Sequence, residues 1–136
     1  MIGVDANILV RYVTRDDPVW TAPAIRFIDE VCTPDNPAYI NTMVLAETVW
    51  VLRRRSDFNR QRLVDFVQGL LDSDSVVLAG RDAVENALTS FAKGPAGFAD
   101  YLVLELNKQA GAVPTYTIDF DASRGKGFQA LKKEQR

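Results

Sequence analysis

The chain has 136 residues, 47% of them hydrophobic and 25% charged, which suits one compact domain with an ordinary core and excludes a disordered chain. Its net charge of −2 excludes nucleic-acid binding by bulk positive charge; any such binding needs local basic patches and bound metal. The absence of histidine removes His-based triads, His general bases and His metal ligands, and the lone Cys32 removes intrachain disulfides and Cys-rich zinc sites.

Carboxylates, hydroxyls, Lys, Arg, Tyr and Cys32 remain as chemical tools. Hard cations such as Mg²⁺ and Mn²⁺ take oxygen ligands, so an acidic metal site is a natural expectation. No apolar run approaches the ~20 residues of a membrane span. No basic stretch precedes an apolar core at the N-terminus, so a signal peptide is not expected. A reduced, cytoplasmic setting and no membrane partner are the expectation.

Ile2-Gly3-Val4 reads as a short buried strand that runs straight into Asp5. A helical stretch follows from Asn7 to Val13, and Asp16-Asp17-Pro18 reads as a turn. Between Trp20 and Val31, residues Ala24, Phe27, Ile28 and Val31 fall at helical spacing. Thr33 to Pro37 is a loop, and Ala38-Tyr39-Ile40 a second strand. The stretch from Thr42 to Arg55 predicts a strong helix with a wide apolar stripe of Val44, Leu45, Thr48, Val49 and Leu52. Another helix is predicted from about Asn59 to Leu71, a third strand from Ser75 to Leu78, and a helix from Arg81 to Phe91. Lys93 to Gly97 is a loop before a helix from Phe98 to Gln109. Thr115 to Ile118 reads as a strand ending at Asp119, Gly125-Lys126-Gly127 as a turn, and Phe128 to Leu131 as a short last strand before a charged, frayed tail.

Strands separated by helices predict an α/β layer fold with a mainly parallel sheet of four or five strands. In such sheets the site lies beyond the carboxyl ends of the strands. Asp5 and Asp119 stand at such ends. Four acids are therefore candidates, and each has a plain structural reading beside the functional one. Asp5 can cap the following helix. Glu47 lies within the apolar run Val44 to Trp50, where a carboxylate near a core face is costly unless paired or metal-bound, but it can also be a solvated helix edge. Asp100 can be an N-terminal acid favoured by the helix dipole, and Asp119 a turn acid. Asp121 is a nearby fifth candidate. Held close together, like charges would partly protonate unless a cation joined them, and a divalent ion resolves that conflict. Trp50, beside the apolar stripe, is expected in the core.

These residues also carry a resemblance. Ile2-Gly3-Val4-Asp5-Ala6-Asn7 resembles the opening of PIN-domain ribonucleases, and Asp16-Asp17-Pro18 is similar to a variant found in VapC-type toxins of bacterial toxin–antitoxin systems. Ile40-Asn41-Thr42-Met43-Val44-Leu45-Ala46-Glu47 resembles the second motif, Phe98-Ala99-Asp100 the third, Thr117-Ile118-Asp119 the fourth, and Gly127 to Leu131 the closing strand. Asn41 stands where the family often has serine, and Ala6 where it often has threonine or serine. The motifs occur in family order over essentially the whole chain.

The resemblance implies a single PIN domain over residues 1–136, a three-layer sandwich with helices flanking the sheet. It implies a Mg²⁺- or Mn²⁺-dependent endoribonuclease that leaves 5′-phosphate and 3′-hydroxyl ends, a homodimer, and inhibition by a cognate antitoxin protein. Asp5, Glu47, Asp100 and Asp119 are then the catalytic and metal-binding acids, with Asn7, Thr117 and Asp121 supporting them. Arg11, Arg15, Arg124 and Lys126 are candidate phosphate contacts, each also readable as solvated surface charge. The alternatives are a metal-dependent phosphatase on an α/β fold, and a PIN module that binds RNA or a partner without cutting. A haloacid-dehalogenase-like enzyme would want Asp-x-Asp after the first strand, and Asn7 occupies the second of those positions.

Overall fold

A computed structural model describes residues 1–134, so Gln135 and Arg136 of the expected frayed tail lie outside the described residues. The architecture is mixed α/β, with five strands, all paired in parallel, and seven α-helices among the described residues. The strands are hydrogen-bonded as a three-stranded and a two-stranded sheet, and the chain divides into two compact units, Met1–Arg81 and a second that begins at Asp82. No helix among the described residues is long and apolar enough to cross a membrane.

In the first unit, β1 (Ile2–Gly3), β2 (Ala38–Ile40) and β3 (Val76–Leu78) line up in that order. Parallel neighbours cannot be joined by tight hairpins, so helices fill each crossover. Between β1 and β2 lie α1 (Ala6–Thr14) and α2 (Thr21–Arg26), the latter continuing as a π-helical turn, Phe27–Val31. The sequence predicts one helix over Trp20–Val31; the wider turn appears where the Cys32 N–H reaches back five residues to the Phe27 carbonyl at 3.0 Å. Val31 is exposed, so the apolar spacing overstated its burial.

Between β2 and β3 lie α3 (Thr42–Arg53) and α4 (Arg60–Asp72). Helix α3 buries Leu45, Thr48, Val49 and Leu52, much of the expected stripe, and packs against α1 and α4. Thr48 is tolerated in this core because its hydroxyl donates to the Val44 carbonyl at 2.7 Å. Trp50 corrects the expectation that it is a core residue. It is 54% exposed, with the Arg54 guanidinium 4.6 Å from its ring centre. Position 50 lies on the exposed helix face with Met43 and Glu47, and apolarity of the surrounding run does not move it inward.

Asn41 begins α3. Its Oδ1 accepts from the Val44 N–H at 2.8 Å, as an N-cap does. Serine and asparagine cap about equally well, so asparagine is physically conservative here. Replacing Asn41 with Ala is expected to lower stability by about 0.5–2 kcal/mol, while Ser at this position leaves it nearly unchanged. Denaturant midpoints at unchanged slope would check both; equal midpoints for the Ala variant and the parent would refute the capping role.

The second unit holds α5 (Arg81–Lys93, whose first residue belongs to the first unit), α6 (Phe98–Gln109), β4 (Thr115–Thr117), α7 (Phe120–Ser123) and β5 (Phe128–Ala130). Strands β4 and β5 pair in parallel, Thr115 opposite Phe128 and Thr117 opposite Ala130. Phe98 is among the largest fully buried side chains, and its ring meets Phe91 edge-on at 6.0 Å. Gly127 has φ +94°, and a Cβ there would lie 3.1 Å from a Leu104 methyl, so turn geometry and packing both select glycine.

Candidate functional site

Asp5 follows β1 and caps α1; its Oδ1 accepts from the Ala6 N–H at 2.7 Å. Asp100 lies in the first turn of α6, and its Oδ2 accepts from the Gly97 N–H at 3.1 Å. Asp119 follows β4 and caps α7 through Oδ1, which accepts from the Ala122 N–H at 2.9 Å. All three aspartates therefore do what the plain structural reading expects. Each spends only one oxygen on it. Among the described residues the second oxygen of each carboxylate accepts no hydrogen bond from the protein. A helix start thus fixes the carboxylate and leaves one donor atom over, so capping and ligation are compatible.

Glu47 is exposed on α3 and has no hydrogen bond or ion pair among the described residues. This corrects the argument from core burial. The carboxylate faces solvent between exposed Met43 and Trp50, so no desolvation cost demands a partner. Asp5 and Glu47 belong to the first unit, Asp100 and Asp119 to the second.

The donor chemistry suits a hard divalent cation, which takes carboxylate oxygens. Among the described residues, however, no group of three or more His, Cys, Asp or Glu side chains lies close enough to hold an ion.

The supporting residues divide. Asn7 is exposed on the first turn of α1 and lines a cleft beside it. Thr117 holds the approach to Asp119, its hydroxyl oxygen accepting from the Asp119 N–H at 3.0 Å. Asp121 is exposed in the first turn of α7, where the helix dipole favours an acid. Of the candidate phosphate contacts, Arg15 is already engaged. It closes α1 in the left-handed conformation (φ 54°), donates to the Tyr12 carbonyl at 3.1 Å and lies over the Tyr12 ring. Arg124 lies 5.8 Å from the centre of the Phe120 ring, and Lys126 is exposed. Arg11 lines the same cleft as Asn7.

The sequence reads Asp17 as part of a turn. The structure gives it more to do. Its Oδ1 accepts from the Val19 and Trp20 N–H groups at 2.8 and 2.7 Å, and its Oδ2 lies 3.7 Å from Nε of Arg11. The Trp20 and Val19 N–H groups, with Arg11 beyond them, hold its carboxyl below the usual range. The available signal was an aspartate followed by proline, the pattern of a side chain closing its own turn. Neighbouring Asp16 pairs with Arg55 at 2.8 Å, and Arg55, just past the end of α3, also meets Asp57 at 3.2 Å.

A family model described as PIN domain matches residues 2–125. Comparison with curated proteins finds no match.

Proposed function

Since the chain belongs to the PIN domain family, whose members are generally nucleases, we propose that it is a metal-dependent endoribonuclease, the toxin of a toxin–antitoxin pair. The match runs through both compact units, which supports reading residues 1–136 as a single PIN domain. The observation that carries the reading is the repeated placement of Asp5, Asp100 and Asp119. Each is fixed at a helix start by one oxygen and has the other to spare.

In this proposal Asp5, Glu47, Asp100 and Asp119 are the residues that would hold Mg²⁺ or Mn²⁺, as carboxylates suit a hard cation. Such an ion would neutralise charge on the phosphoryl oxygens and lower the pKa of a bound water. Asp5 and Asp119 present carboxylates whose orientation is set by the helices they cap. Asp100 is set in the same way by the Gly97 N–H. Thr117 holds the backbone of Asp119, Asn7 offers an amide next to Asp5, and Asp121 adds negative charge near Asp119. Lys126 is the phosphate contact we favour, because Arg15 and Arg124 already lie over Tyr12 and Phe120 and Arg11 faces Asp17. The partners proposed are an RNA substrate, a second copy of the chain and an inhibitory antitoxin, in the cytoplasm.

The test is direct. Purified chain is incubated with single-stranded and structured RNAs, and separately with phosphomonoesters, with Mg²⁺ or Mn²⁺ and then with EDTA. Internal RNA cleavage that stops on chelation is expected. Hydrolysis of phosphomonoesters alone would make it a phosphatase, and cleavage of no RNA under any metal would make it a binding module.

A further inference from the structure

We propose that Tyr101 is a positioning residue for Asp100: its hydroxyl, seated against Gly94, holds the Ala96–Gly97 segment so that the Gly97 N–H stays on the Asp100 carboxylate. The positioning stands on the geometry of the second unit alone. Its consequence for metal binding rests on the nuclease reading.

Asp100 takes its orientation from one donor. Its Oδ2 accepts from the Gly97 N–H at 3.1 Å, and the other oxygen accepts no hydrogen bond among the described residues. The direction of the carboxylate is therefore only as well defined as the direction of that N–H. The Gly97 carbonyl is fixed by α6, where it accepts from the Tyr101 N–H at 3.2 Å. The Gly97 N–H belongs instead to the peptide shared with Ala96, which lies in the loop before the helix.

Tyr101 holds that loop from inside. Its hydroxyl reaches back five residues and accepts from the Ala96 N–H at 3.3 Å. Both residues are buried, so donor and acceptor meet away from water. A buried backbone N–H without a partner is costly, and the hydroxyl is the acceptor this one has among the described residues. With Ala96 held there and Phe98 buried against Phe91, Gly97 spans two fixed neighbours.

Gly94 shows that the place of the hydroxyl is selected. A Cβ at Gly94 would overlap the Tyr101 hydroxyl and lie 3.0 Å from the Ser90 carbonyl oxygen. The Gly94 φ is not positive, so this contact and not backbone conformation excludes alanine. The Tyr101 ring is held in turn by Phe128, which it meets edge-on with centres 6.0 Å apart. Glycine, ring packing and the Ala96 N–H thus converge on one hydroxyl position. Tyr101 follows Asp100 directly in α6, yet it acts on the carboxylate through the loop.

The experiment compares the full chain with Tyr101→Phe, which keeps the ring and removes the hydroxyl, and with Gly94→Ala, which keeps the hydroxyl and displaces it. In metal-free protein the Gly97 amide proton is read by NMR, with Asp100→Ala marking its position once the carboxylate bond is gone. In both variants the Gly97 resonance should move toward that mark, while Val84 and Leu88, buried in α5, stay in place and report an intact fold. Titration with Mn²⁺ should show affinity weakened by up to about 10-fold, the low end of what the loss of a ligand's own hydrogen-bond partner costs. A Gly97 resonance that stays in place or moves away from the mark in folded Tyr101→Phe overturns the positioning. So does unchanged Mn²⁺ affinity in that variant when the parent binds Mn²⁺. The same criteria apply to Gly94→Ala should Tyr101→Phe not fold. The two readings fail separately: a parent that binds no Mn²⁺ and cuts no RNA, while Gly97 responds, loses the nuclease and keeps the positioning. A parent that cuts RNA while Gly97 does not respond keeps the nuclease and loses the positioning.

Discussion

Replacing Asp5 with Asn is expected to leave the chain folded and to cut metal-dependent RNA cleavage by at least about 100-fold. Changes one shell removed from a metal already cost ~10–100-fold, and this change removes the charge of the proposed ligand itself. The substitution separates two roles that coincide in one side chain. Asp5 caps α1 through Oδ1, and Asn, an equally good N-cap, retains an oxygen for the Ala6 N–H. What Asn lacks is the negative charge on the oxygen that the cap does not use. Denaturation midpoints of variant and parent should therefore agree while cleavage rates diverge. A folded Asp5→Asn protein with undiminished cleavage in Mg²⁺ or Mn²⁺ would show that Asp5 is a helix cap and nothing more. Asp5→Ala is the less informative change, because it removes the cap as well.

Phe98→Ala should be the most damaging single change to stability in the second unit, lowering it by about 3–5 kcal/mol. Phe98 is 2% exposed, and its truncation both removes buried apolar surface and leaves a cavity against Phe91, which meets it edge-on. Native domains are stable by only about 5–15 kcal/mol, so much of the folded population is at stake. The consequence reaches the site. Phe98 is the first residue of α6, and Asp100 sits two residues on in the same turn. Ile118 is a useful contrast, an equally apolar residue next to Asp119 but 87% exposed. Ile118→Ala should change stability by no more than about 0.5 kcal/mol. Urea or guanidinium unfolding of both variants gives the comparison; a Phe98→Ala midpoint matching the parent's would refute the core assignment.

Much of the fold was legible in the chain. Helix α6 was predicted with its observed bounds, Phe98–Gln109, because glycine and proline stop the preceding segment and the apolar spacing begins at once. The strands were located by short β-branched runs, and Asp5 and Asp119 by their position after such runs. Helix α7, Phe120–Ser123, was not anticipated: one turn is too short for periodicity to register, and it forms where the Asp119 carboxylate caps it. The π-helical turn at Phe27–Val31 was equally invisible, since its residues share the apolar spacing of an ordinary helix.

Side-chain direction separates the two kinds of information. Residue type and spacing along the chain are local, and they were enough to locate an order of strands and helices and the acids at element boundaries. Exposure is set by what packs against each face, and no local pattern contains that. Folding therefore turned Trp50 and Glu47 outward on α3 although their neighbours are apolar, and it set the Asp17 carboxylate between the Trp20 backbone N–H and Arg11. It also spent one oxygen of each of Asp5, Asp100 and Asp119 on a helix start. One oxygen of Asp5 satisfies a backbone N–H that the start of α1 leaves unpaired, and the other accepts no hydrogen bond among the described residues.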